Sequence, residues 1–173
     1  MDTSPIKPKD IVVLVVVETI LGEEWTFQDM ADCLDVSTSQ VQYSLERLDH
    51  ARLFDKPARL VRRHALREFV SHGIRYAFAT HPGELVRGIP TSVSAPVGQR
   101  LFSGNEQDVD FVWPHPEGPE RGQRIEPLHE AVPELAREHD QFYRFMALLE
   151  MVRVGSARER SVASDEIDGM LME

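Results

Sequence analysis

The sequence predicts a mainly α chain with a small β component, of the α+β class, and three observations carry that reading. Between Trp25 and Phe54, two short stretches with helical periodicity flank a tight turn. Toward the end of the chain Phe142, Phe145, Met146, Leu149 and Val152 recur at helical spacing before Gly155, and a second capped helix opens at Ser156 with Glu159 three residues on. Between these ends the extended runs, such as Val109–Trp113, are short and bounded by Pro and Gly, as strands are.

The stretch Trp25–Phe54 is the most informative. Thr26 caps a first helix with Asp29 in the capping-box position, and Met30, Ala31 and Leu34 form its apolar face. Asp35 suits a left-handed turn residue. Ser37 then caps a second helix with Gln40 three residues later, and Val41, Leu45 and Leu48 make the buried stripe. Thr38, Ser39, Gln40, Gln42, Tyr43 and Arg47 are left facing outward. After Leu53-Phe54, the turn Asp55–Ala58 and a return strand Arg59–Arg63 read as a short wing. It offers Lys56, Arg59, Arg62 and Arg63 to phosphates or the minor groove. The plainer alternatives are a solvated helix face and a charged edge strand.

These residues resemble the winged-helix regulators of the MarR type, in which T-x-x-x-[LM]-A-x-x-L-x-[VL]-S-x-S-x-V-x-x-x-[LI]-x-x-L recurs. The resemblance covers about residues 8–75 and departs at Asp35, where glycine is usual. It implies a winged helix-turn-helix DNA-binding domain over residues 1–78, and a homodimer reading two half-sites of double-stranded DNA. Residues 79–173 are then a C-terminal region for dimerisation, partner binding or sensing, packed on the first. The site residues so implied are Thr38, Ser39, Gln40, Gln42, Tyr43, Arg47, Lys56, Arg59, Arg62 and Arg63.

Charge complicates this picture. The net charge is −10, whereas phosphate attraction favours a basic surface. Residues 1–75 hold ten Lys/Arg and twelve Asp/Glu, net −2, and residues 76–173 hold nine and seventeen, net −8. Within Arg47–Arg75 eight basic residues face three acidic ones, so one basic segment sits on an acidic body.

Catalytic and metal chemistry find little support. Cys33 stands alone, which excludes an intramolecular disulfide and a cysteine-rich zinc site. His50, His64, His72, His81, His115, His129 and His139 form no ligand-spaced pair. Neither a phosphate-cradling glycine loop nor G-x-S-x-G is present. No enzyme activity, metal or cofactor is expected. Met1-Asp2 opens no signal pattern, and the apolar run Ile11–Val17 is too short to span a bilayer. A cytoplasmic location without membrane contact is therefore expected.

Elsewhere the pattern predicts a helix over 8–21 that is apolar all round, covered by the C-terminal half or by a second subunit. It also predicts a helix over 64–71, a half-buried strand over 74–78, a Pro/Gly-punctuated loop over 80–105 and an extended piece over 122–128. Two apolar segments, Ile11–Val17 and Phe142–Val152, exceed what a small winged helix needs, a second ground for a homodimer. The expected function is a dimeric, sequence-specific transcriptional repressor. The alternative is a winged-helix protein-interaction subunit, antitoxin- or adaptor-like, whose acidic C-terminal half holds a partner protein.

Overall fold

A computed structural model describes residues 1–103 and 109–173. Helix α1 (Pro8–Val16) opens with proline in its first turn and runs on as a π turn, Val17–Leu21, that ends at Gly22 with φ +71°. Every residue from Asp10 to Val17 is buried. Helix α2 (Phe27–Leu34) and helix α3 (Thr38–His50) follow, joined through Asp35 in the left-handed region. A hairpin of two-residue strands, β1 (Phe54–Asp55) and β2 (Leu60–Val61), leads into α4 (Arg63–His72), which ends at Gly73, and the one-turn helix α5 (Ile74–Ala77).

The second half begins with β3 (Leu85–Pro90), a 3₁₀ turn over Ser92–Ser94 and helix α6 (Pro96–Leu101). Strands β4 (Phe111–Pro114) and β5 (Glu120–Arg124) then close with β3 into a three-stranded barrel in which each strand pairs with the other two. β3 runs antiparallel to both partners, with Ile89 opposite Trp113 and Val86 opposite Gly122, while β4 and β5 are parallel. Helices α7 (Val132–Glu138), α8 (Asp140–Val154) and α9 (Ala157–Met172) complete the chain.

Four expectations need correction. The 74–78 segment is α5, not a strand: Ile74 is buried, Tyr76 and Ala77 are exposed and Phe78 is again half-buried, the i, i+4 spacing of a helical turn, whereas an alternating strand would put 74, 76 and 78 on one face. The 80–105 segment is not a loop but contains β3 and α6. Its last two residues, Gly104 and Asn105, lie outside the described residues. Gly88 looks like a breaker yet sits inside β3, because a Cβ there would come within 1.9 Å of the Trp113 carbonyl oxygen across the barrel. Pro96 likewise starts α6 instead of interrupting it. The return strand expected over Arg59–Arg63 is only Leu60–Val61, and Arg63 already belongs to α4. Finally, α7 is an addition to the expected elements.

One hydrophobic core runs through both halves. α8 is central, packing on α1, α4, α5, α7 and α9. A helix buried on all sides needs neighbours on all sides, and α1 finds them in α3 and α8. The two apolar segments that suggested a homodimer are thus covered within a single chain. The free protein is expected to sediment near its chain mass of 19.7 kDa at micromolar concentration, and a stable species of twice that mass would contradict this account.

A buried ion pair ties the halves together. Glu150 is fully buried on α8 and accepts from Arg153 Nη1 at 2.6 Å. Arg153 Nε also donates to the carbonyl of Phe78 at 3.0 Å, at the end of α5, and Nη1 reaches the Glu126 carbonyl at 3.4 Å. Burial pushes the Glu150 carboxyl above the ordinary glutamate range, against the pull of Arg153. In the interval between that range and the raised value the folded chain keeps a proton that the unfolded chain releases. Stability should therefore fall as pH rises through this interval, and Glu150→Gln should flatten that slope in pH-dependent melting curves.

Candidate nucleic-acid interface

Helix α3 begins with reciprocal capping: Gln40 N–H donates to Ser37 Oγ, and Ser37 N–H donates to Gln40 Oε1, both at 3.2 Å. The same arrangement starts α2, between Thr26 and Asp29 at 3.1 and 2.8 Å. Each box satisfies amide groups that a helix N-terminus otherwise leaves open. In α3 the consequence is orientation, because Val41, Leu45 and Leu48 turn into the core and Thr38, Ser39, Gln42 and Tyr43 face solvent. Gln40 is exposed too, although its side-chain oxygen is taken up by the cap.

The cations expected beside this surface have partners of their own. Arg47 does not face outward. Its side chain is only 4% exposed, and its Nε and Nη2 grip both oxygens of Asp10 at 2.8 Å while Nη1 reaches Asp2 Oδ2 at 2.8 Å. An uncharged environment cannot hold Asp10 in a buried helix without such a partner. Arg47 therefore belongs to the core.

Lys56 Nζ lies 3.5 Å from Glu46 Oε1. Arg62 pairs with Asp55 at 3.1 Å, and Arg63 with Glu18 at 3.0 Å across to the π turn. Arg59, at φ +57°, lays its guanidinium 4.4 Å over the Trp25 ring and donates to the Trp25 carbonyl. The structure thus brings Thr38, Ser39, Gln40, Gln42 and Tyr43 together on one face, withdraws Arg47, and gives each of the other four cations an intramolecular partner.

Sequence reasoning missed the carboxylates. Glu46 is a hub that accepts from Asp2 N–H at 2.8 Å and Gln42 Nε2 at 3.3 Å besides Lys56. The signal for Arg47 was present in Asp10, a lone acid in an apolar run that requires a cation. The Asp2 amide, then Gln42, holds the Glu46 carboxyl below the usual range. Asp2 is lowered too, first by its bonds to Ser4 and then by Arg47. A depressed carboxylate contributes stability above its unfolded value and loses it as pH falls through the depressed one. The Asp2 amide resonance is therefore expected to hold its position at neutral pH and move to a solvent-like shift only on acidification below the ordinary carboxylate range.

An open groove of about 610 Å³ runs between α4 and α9, flanked by His64, Arg67, His72, Arg160, Asp165 and Asp168. Among the described residues no group of three or more His, Cys, Asp or Glu could hold a metal ion. Burial pushes the Cys33 thiol up to about 11, away from a reactive thiolate. No described helix is long and apolar enough to cross a membrane. No family model matches the chain, and no curated protein and no solved structure matches it.

Proposed function

We propose that residues 1–78 form a winged helix-turn-helix that binds double-stranded DNA sequence-specifically, and that the protein is a transcriptional regulator acting as a repressor. The observation that carries this reading is the first half of α3. It follows a left-handed turn, begins at a capped N-terminus and presents Thr38, Ser39, Gln42 and Tyr43 to solvent with the β1–β2 hairpin beside its far end. A helix end bearing hydrogen-bonding side chains suits base edges in a major groove.

The paired cations do not prevent phosphate contact. Arg62 and Arg63 are about half exposed, at 51% and 49%, and exposed ion pairs are worth about 0–1 kcal/mol. A phosphate competes with a carboxylate on those terms. Gln42→Ala is expected to cost roughly 1–3 kcal/mol at the cognate site and little on random DNA. The measurement is fluorescence anisotropy on duplexes from the region upstream of the protein's own gene. Equal losses on both duplexes, or none on either, would count against base reading by α3.

One observation favours a second reading, in which the same unit is a protein-interaction subunit of antitoxin or adaptor type. Each cation at the expected DNA face already has an intramolecular partner, and residues 76–173 carry net −8. Stoichiometric co-purification of a basic protein, together with no shift of any duplex at low salt, would select it.

A further inference from the structure

The carboxylates that hold Arg62 and Arg63 are confined, Asp55 by a bond in the hairpin turn and Glu18 by low exposure. Asp55 accepts the Ala58 N–H at 3.0 Å through Oδ1 while Oδ2 takes Arg62, so the hairpin turn pins it. Glu18 sits on the π turn with only 11% of its side chain exposed, and both its oxygens face Arg63 Nε, at 3.2 and 3.0 Å. Asp55 keeps its turn bond when Arg62 turns to another anion, and Glu18, largely covered, stays beside Arg63. We infer that Asp55 and Glu18 set DNA specificity from the negative side: they neutralise the arginines at the hairpin and so suppress binding to DNA of arbitrary sequence.

This inference rests on the DNA reading above and adds to it. A phosphate that captures Arg62 or Arg63 comes up against a carboxylate left in place, and the repulsion cancels most of the attraction. The third pair, Lys56 with Glu46, repeats the arrangement at the hairpin tip. The sequence-independent term, which scales with the number of phosphates met by free cations, is therefore small. Discrimination then falls to the neutral, hydrogen-bonding face of α3. A net charge of −10 works in the same direction by keeping the chain off bulk nucleic acid.

The test uses Asp55→Asn, Glu18→Gln and their combination in the full chain. Each amide keeps the shape and the acceptor oxygen while removing the charge. Glu23→Gln is the control, since Glu23 lines the same small cleft as Glu18 and Arg63 yet pairs with no cation among the described residues. Affinity for a random duplex and for the upstream duplex is measured between low and physiological salt, with melting temperature as the check on folding. The expected result is random-duplex binding tighter by roughly threefold or more per freed arginine, and a log K against log salt slope steeper by about one unit each. The ratio of upstream to random affinity should drop, with Glu23→Gln unchanged. If the parent binds DNA and the substitutions leave affinity and slope as they were, or if Glu23→Gln does the same as Glu18→Gln, the inference is overturned and the DNA reading stands. If neither the parent nor the double variant binds any duplex at low salt, both are overturned.

Discussion

A chain ending at Phe78 is expected not to fold: its far-ultraviolet dichroism should decay without a cooperative transition, and the fragment should aggregate. The cause lies in α1. Ile11, Val12, Leu14, Val15 and Val16 are fully buried, and α8 supplies part of their cover. Burying one large apolar side chain is worth roughly 1.5–3 kcal/mol, whereas a domain's net stability is about 5–15 kcal/mol. Exposing even a few of these side chains consumes the whole margin. The cut also removes Arg153, which caps the Phe78 carbonyl, and the α8 and α9 surfaces against which α4 and α5 pack. A monomeric 1–78 fragment that unfolds cooperatively would show that the N-terminal unit is self-sufficient and that the packing of α1 on α8 is dispensable. Any DNA-binding experiment on this protein accordingly belongs on the full chain.

Arg47→Ala is expected to lower stability by about 3–5 kcal/mol, because it strands Asp10 in the core with the Lys7 N–H as its remaining partner. For a chain of this size that corresponds to a melting point lower by roughly 6–20 °C. Lysine should rescue only in part, since a point charge cannot reproduce the two-pronged grip on both Asp10 oxygens. The double substitution Arg47→Met with Asp10→Leu should recover most of the loss, because a buried pair replaced by apolar groups often costs nothing. This series separates two roles for one residue. If Arg47→Ala melted with the parent and lost DNA affinity, Arg47 would be a phosphate contact after all. The observed geometry calls for the opposite pattern.

What the sequence determined by itself is whatever depends on neighbours within a turn or two. The capping boxes at Thr26, Ser37 and Ser156, the left-handed Asp35 and the apolar registers of α2, α3 and α8 were all legible, because caps and helical faces are set by residues three and four apart. The exposed set Thr38, Ser39, Gln40, Gln42 and Tyr43 followed from the same periodicity. Tertiary structure alone decided the rest. Strand β3 was hidden because Gly88 and Pro90 read as breakers until a carbonyl from β4 shows why no side chain fits. Helix α7, about two turns with Pro133 in the first, offers too short a period to be told from loop. The charges went the same way. Arg47 looked free because Asp10 is 37 residues off, and Arg63 because Glu18 is 45 residues away. Local rules say which side of a helix a cation lies on, but whether it is available to a ligand depends on the anion that folding brings to it.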